Sequence, residues 1–169
     1  NIDDYDQILV TKDPKLSSKV PSSEDIAVIK NRENVGKIYI LRDDLNAIDK
    51  LILPIRGYGL WGTLYGYISI ENDFNTISGI EFYDHKETPG LGAEVDNPKW
   101  KSQWKGKKLN NKNGELMIQV AKTLKHKEHH IDALAGATLT SNGVDNLVKF
   151  WMGKDGFKKF LSNFKNGAA

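Results

Sequence analysis

Leu64-Tyr-Gly-Tyr-Ile-Ser-Ile-Glu71 and Thr76-Ile-Ser-Gly-Ile-Glu-Phe-Tyr-Asp84, joined by the polar link Asn72-Asp-Phe-Asn75, are the stretch on which the fold turns. Both runs are rich in β-branched and aromatic residues, and a link this short predicts an antiparallel pair. Upstream, Lys37-Ile-Tyr-Ile-Leu41 and Asp49-Lys-Leu-Ile-Leu-Pro-Ile55 read as further strands. Downstream, Leu116-Met-Ile-Gln-Val120 follows the Asn113-Gly114 turn as another strand, with a spacing that also suits a short helix. The C-terminal third changes period. Val144, Leu147, Val148 and Trp151 fall at i, i+3, i+4 and i+7, and after Gly153 the same spacing recurs as Phe157, Phe160, Leu161 and Phe164. Each stripe needs a sheet face or the other helix to cover it. The expected architecture is α+β, an antiparallel β-sheet with packed helices.

Working outward, residues 1–34 are polar, with Pro14 and Pro21 as breakers, and predict an extended arm leading into one domain over 35–169. No internal repeat marks a second domain. A net charge of +2 in 169 residues gives no global drive toward nucleic acid. The absence of cysteine excludes disulfides, thiol redox chemistry and Cys-ligated metals. No apolar run approaches the roughly 18 residues that a membrane span needs. The chain opens at Asn1 rather than at methionine, which leaves room for a leading anchor outside it.

Three glycine-bearing segments carry the chemical signals. Asp132-Ala-Leu-Ala-Gly-Ala-Thr-Leu-Thr-Ser141 puts Thr138 and Thr140 in a small-residue turn ahead of the amphipathic helix. Gly136 and Ala137 let backbone approach backbone there, and the N–H groups and dipole of the helix start favour an anion such as phosphate. The same residues also suit a plain helix start with Thr140 or Ser141 as N-cap. His85-Lys-Glu-Thr-Pro-Gly-Leu-Gly92 is either a strand exit built on a Pro-Gly turn or a loop that approaches a flat ligand edge. In the second reading Gly90 and Gly92 admit backbone amides while Glu87 and Thr88 supply polar contacts. Arg56-Gly-Tyr-Gly-Leu-Trp-Gly62 predicts a loop that closes one end of the sheet or walls a ring system.

Other signals are weaker. Lys99-Trp-Lys-Ser-Gln-Trp-Lys-Gly-Lys-Lys108 interleaves lysine with tryptophan, as a single-strand nucleic-acid groove would. The run is short and lacks arginine, so it reads as a solvated loop with Trp100 and Trp104 tucked onto the core, and no nucleic-acid partner is expected. His126, His129 and His130 lie in a Lys/Glu-rich connector without metal-ligand spacing, so no metal is expected, and no Gly-x-Ser-x-Gly elbow exists.

Taken in order, the aromatic Gly-Leu-Trp-Gly loop, His-x-Glu-Thr-Pro-Gly-Leu-Gly and Asp-Ala-x-x-Gly-Ala-Thr-x-Thr resemble the FMN-binding domain family across roughly residues 35–153. Within the family the resemblance runs first to the C subunits of bacterial Na⁺-translocating NADH:quinone reductases, and second to the G subunits of Rnf electron-transport complexes. It implies FMN attached covalently, through its phosphate, to Thr138 by a flavin transferase. It also implies an electron relay in which the cofactor, not a catalytic dyad, carries the redox chemistry. Trp61, Leu91 and Leu139 would give apolar cover, Thr88, Thr140 and backbone amides would reach polar ring edges, and Lys107 would add positive charge near the phosphate. The family further implies an N-terminal membrane helix, a place on the outer face of the bacterial cytoplasmic membrane, and the other reductase subunits as partners. One position departs: Ala135 stands where the family carries serine before Gly-Ala-Thr. Two other readings stay open, a free-FMN enzyme and a non-redox extracytoplasmic interaction domain whose Thr138 turn only starts a helix.

Overall fold

Residues 12–123 and 125–166 are described by a computed structural model of the chain, and positions 1–11 of the expected arm lie outside the described residues. At its centre is a four-stranded antiparallel sheet in the order β3–β4–β5–β6, with β3 at Tyr39–Arg42, β4 at Ile48–Tyr58, β5 at Thr63–Glu71 and β6 at Ile77–Asp84. The hairpin expected from the opening stretch is present, with Ile68 opposite Ile80 and Ile70 opposite Ile77. Along β5, Leu64, Gly66, Ile68 and Ile70 are buried and the residues between them are half-buried. This period of two puts one row on the core and the other on the outer face. There Tyr67 packs against Tyr39 and Tyr83, with ring centroids 6.5 and 5.2 Å apart.

A long helix, α2 (Thr138–Met152), lays the predicted stripe of Val144, Leu147, Val148 and Trp151 into the core, all four buried. Burying side chains of this size is worth about 1.5–3 kcal/mol each. That holds the helix where its first turns, rich in Thr, Ser, Asn and Gly, would not. The final helix, α3 (Lys158–Lys165), buries Leu161 and sets Phe164 edge-on to Phe74 at 5.8 Å. Among the described residues no helix is long and apolar enough to cross a membrane.

Four local expectations are corrected. β4 does not stop at Ile55 but runs to Tyr58, because its edge finds partners beyond β3: Tyr58 N–H donates to the Ala27 carbonyl at 2.8 Å, and the Trp151 indole N–H donates to the Arg56 carbonyl at 2.7 Å. The described part of the arm is not simply extended. It folds into an antiparallel pair, β1 (Ser17–Lys19) with β2 (Asn31–Glu33), and seats Val20 and Ala27 in the core. The strand expected over 116–120 is shorter and later, β7 (Gln119–Ala121), and pairs in parallel with an unexpected β8 (His130–Asp132). Finally, Lys99–Lys108 is not a plain loop. It begins as a short helix, α1 (Pro98–Ser102), capped by the Asn97 side chain, with Trp100 and Trp104 buried.

Candidate functional site

The three glycine segments meet at one end of the sheet. The β4–β5 turn spans 59–62, the β6 exit carries 85–91 into a 3₁₀ turn at Gly92–Asp96, and the β8 exit leads through 133–137 into α2. Their common point is Glu87, which is only 5% exposed. One carboxylate oxygen, Oε1, accepts the backbone N–H groups of Leu60 and Trp61, each at 3.0 Å. The other, Oε2, accepts the Thr140 hydroxyl. A single side chain therefore ties the Trp61 turn to the first turn of α2. Glu87 is itself steered by His85, whose Nδ1 accepts the Glu87 N–H at 3.2 Å while Nε2 lies 2.8 Å from an Asp96 carboxylate oxygen.

Glycine is required where these segments close on one another. A Cβ at Gly92 would lie 2.5 Å from the Thr140 Oγ1 and 2.7 Å from Glu87 Oε2. A Cβ at Gly143, on the second turn of α2, would lie 2.5 Å from the Tyr58 carbonyl oxygen. Gly136 adopts φ +69°, the left-handed conformation that turns the chain into the helix.

α2 begins at Thr138, not after a Thr140 or Ser141 cap. Its N-cap is Ala137, with no side-chain hydrogen bond, so among the described residues no capping side chain takes up the first-turn N–H groups. Ser141 is buried and works backwards: its hydroxyl accepts the Leu134 N–H at 2.9 Å and donates to the Ala137 carbonyl at 2.9 Å. The turn is thus built without a hydroxyl at position 135, where the Ala135 side chain is exposed. Thr138 is also exposed, and among the described residues its hydroxyl has no hydrogen-bond partner. Leu139, the next residue, is 59% exposed, and on the two loops tied to this turn through Glu87, Trp61 is 62% and Leu91 45% exposed. A Cβ on Gly136 would come within 3.2 Å of Leu91 Cδ2, which places the 85–92 loop against the turn before α2.

The structure therefore brings together Trp61, Glu87, Thr88, Gly90, Leu91, Gly92, Gly136, Ala137, Thr138, Leu139 and Thr140. It does so with a division not visible in the sequence: Glu87, Gly92 and Thr140 form a buried latch, and Thr88, Gly90, Leu91, Thr138 and Leu139 form the open surface above it. Lys107 is not part of the group. It sits beside Ile77 at the opposite end of β6, roughly 20 Å of strand away at about 3.3 Å per residue. Its ammonium donates to the Lys127 carbonyl at 2.6 Å. Sequence reasoning missed His85 as an organiser and Gly143 as a close-approach point, whereas the tight contacts expected of the 56–62 glycines are present at Gly59, where a Cβ would lie 2.5 Å from Glu87 Oε1. The signals were there, a histidine two residues before the buried acid and a glycine inside an otherwise helical stripe.

The family described as FMN-binding domain matches residues 59–153. The Na⁺-translocating NADH-quinone reductase of Pseudomonas aeruginosa has a C subunit that is 52% identical over 170 residues, covering 98% of this chain and 65% of the relative. The protein of the same name from Yersinia pestis is 44% identical over 166 residues, covering 97% and 62%. The chain thus spans just under two thirds of the length of these relatives. The crystal structure of Shewanella oneidensis NqrC superposes with a TM-score of 0.88 at 38% identity, over 96% of this chain and 75% of that one. The crystal structure of the protein of the same reductase from Parabacteroides distasonis superposes with a TM-score of 0.66 at 38% identity, over 74% and 62%.

Proposed function

Since the chain belongs to the FMN-binding domain family, we propose that it carries FMN esterified through its phosphate to Thr138 and serves as an electron relay in a membrane Na⁺-translocating NADH:quinone reductase. Its partners are then the other reductase subunits and a maturing flavin transferase, and its place is the outer face of the bacterial cytoplasmic membrane.

One observation carries this reading. Of the three hydroxyls at the start of α2, Thr140 is buried and committed to Glu87, Ser141 is buried and committed to the turn, and Thr138 alone is exposed and uncommitted. It stands at the first helical position, where N–H groups that no capping side chain among the described residues takes up and the positive end of the dipole favour a phosphate. The exposed faces of Trp61, Leu91 and Leu139 fit a flat apolar ring system beside it. These residues would hold the group as follows: Thr138 by its oxygen, the first turn of α2 by its amides, and the three apolar side chains by contact. Bound FMN supplies redox chemistry that no side chain of this cysteine-free protein offers.

Attachment is a phosphoryl-type transfer without electron change. Thr138 Oγ forms a bond to phosphorus as a phosphoanhydride P–O bond of an activated flavin donor breaks, and the hydroxyl proton leaves with the released phosphate. The test is intact mass after expression with a flavin transferase. The expected result is an increment of one FMN that disappears in Thr138→Ala. An unmodified mass, or an increment surviving that substitution, refutes the ester, and yellow colour released on acid precipitation would identify a free-FMN protein instead.

A further inference from the structure

Charge in this chain is unevenly placed. Residues 98–130 hold nine lysines, no arginine and two acids, Glu115 and Glu128, a net of +7 in a chain whose total is +2. The remainder therefore carries −5. Folding gathers much of this charge at the Ile77 end of β6, away from the Thr138 site. Lys107 reaches the Lys127 carbonyl at 2.6 Å, Lys108 N–H donates to the Glu128 carbonyl at 2.7 Å, and the His129 ring bonds the Lys108 carbonyl at 2.8 Å. Lys105, Lys125, His126 and Lys127, on the two segments that meet there, are exposed. Two further lysines are neutralised by neighbours, Lys101 by Glu81 and Lys108 by Asp73, but among the described residues Lys105, Lys122, Lys125 and Lys127 have no ion pair. The crowding is felt at His130: burial first, then repulsion from His126, His129, Lys107 and Lys125, holds its ring below the usual histidine range.

Three anionic partners could answer such a face, and the structure separates them. A single-stranded nucleic acid needs aromatic platforms between the cations, but Trp100 and Trp104 are buried, the second completely. A specific protein interface needs an apolar centre and favours arginine over lysine. Here there is no arginine, and among the described residues of 98–130 no large hydrophobic side chain is exposed. What remains is a diffuse sheet of anionic headgroups, for which hydrated, mobile ammonium groups are suited. We propose that the lysine face around Lys105, Lys107, Lys125 and Lys127 docks this chain on an anionic phospholipid surface. Docked there, the Thr138 end of the sheet stands roughly 20 Å of strand further along β6 and stays free to meet a partner. The proposal is independent of the flavin.

The experiment is co-sedimentation of the flavin-free 169-residue chain with vesicles of phosphatidylcholine containing 30% phosphatidylglycerol at low salt. Binding is expected to anionic vesicles, not to pure phosphatidylcholine, and to vanish in 0.5 M salt. Neutralising a lysine at such a surface lowers partitioning roughly fivefold, so the triple change Lys105→Gln, Lys125→Gln, Lys127→Gln is expected to weaken it roughly a hundredfold. The matched triple Lys15→Gln, Lys19→Gln, Lys30→Gln, on exposed arm positions, is expected to leave it within about threefold. The idea is overturned if the chain does not sediment, if it sediments equally with neutral vesicles, if both triples lose binding alike, or if a short single-stranded oligonucleotide strips it from the vesicles at stoichiometric amounts. Unchanged far-ultraviolet circular dichroism of both triples confirms that a loss is not unfolding.

Discussion

Glu33, at the end of β2, and Glu87, on the loop after β6, are both buried carboxylates, and they are satisfied in opposite ways. Glu33 meets a cation: Arg56 Nη2 lies 2.7 Å from Oε2 and Nη1 3.2 Å from Oε1, and the guanidinium also rests over the Trp151 ring at 5.1 Å. Glu87 meets none. Its oxygens accept two backbone N–H groups and one hydroxyl, all neutral. The first arrangement cancels charge where the arm is stitched to the sheet edge. The second gathers neutral donors from two segments, so it fixes the shape of the Thr138 end without placing a competing cation beside it.

The contrast is broken most severely at Arg56. Removing one partner of a buried pair leaves the other charge uncompensated, at a cost of about 3–5 kcal/mol. Arg56→Ala is therefore expected to lower the urea midpoint of the flavin-free chain more than any change at the latch, and an apolar replacement of both Arg56 and Glu33 should recover most of the loss. If Arg56→Ala costs under about 1 kcal/mol, the arm is not held by this pair. At the other end, Gly92→Ala drives a methyl into Thr140 Oγ1 and Glu87 Oε2. Overpacking of this kind costs about 1–3 kcal/mol, and here neither neighbour is a free side-chain tip that can swing away. Glu87→Gln keeps the shape and the acceptor for Leu60 and Trp61 but loses the charge. A loss of about 1–2 kcal/mol is expected, with faster amide exchange at Leu60 and Trp61 as the local signature. Exchange unchanged at both amides would show that the Trp61 turn does not depend on Glu87.

The same contrast explains what can be read from the sequence. The Leu64–Asp84 hairpin and the stripe of α2 are legible because period and turn are local properties, carried by residues within a few positions of each other. The latch is half legible. Its residues lie in motifs, but the assignment of Thr140 to a polar ring edge and of Glu87 to a ligand contact overlooks that each is the other's partner across 53 positions. Ser141 reads as a forward cap, yet it bonds backwards to Leu134 and Ala137, because Gly136 in the left-handed region has already turned the chain. Lys107 is near the motifs in sequence and far from them in space, since β6 separates them. The arm and β8 are hidden for a further reason: Glu33 and His130 look solvated by residue type, yet Glu33 is buried against the Arg56 guanidinium and the His130 ring is buried while accepting the Lys125 N–H.

The smallest stability effect should come with the largest change in loading. Thr138 is exposed, has no hydrogen-bond partner among the described residues and does not cap the helix, so Thr138→Ala should change folding free energy by no more than about 0.5 kcal/mol. With a flavin transferase present, the same change should abolish the FMN increment, because Thr140 and Ser141 are withheld by Glu87 and by the turn. A label that moves to Thr140 in Thr138→Ala would show that the latch opens during modification and that burial does not choose the acceptor. Ala135→Ser is the companion measurement. The side chain at 135 is exposed and the turn closes without it, so restoring the hydroxyl should leave the melting temperature of the flavin-free chain unchanged. Any gain in the rate of loading then measures recognition by the transferase alone. A gain in stability would instead mean that the hydroxyl belongs to the turn, and that Ala135 weakens the site from within.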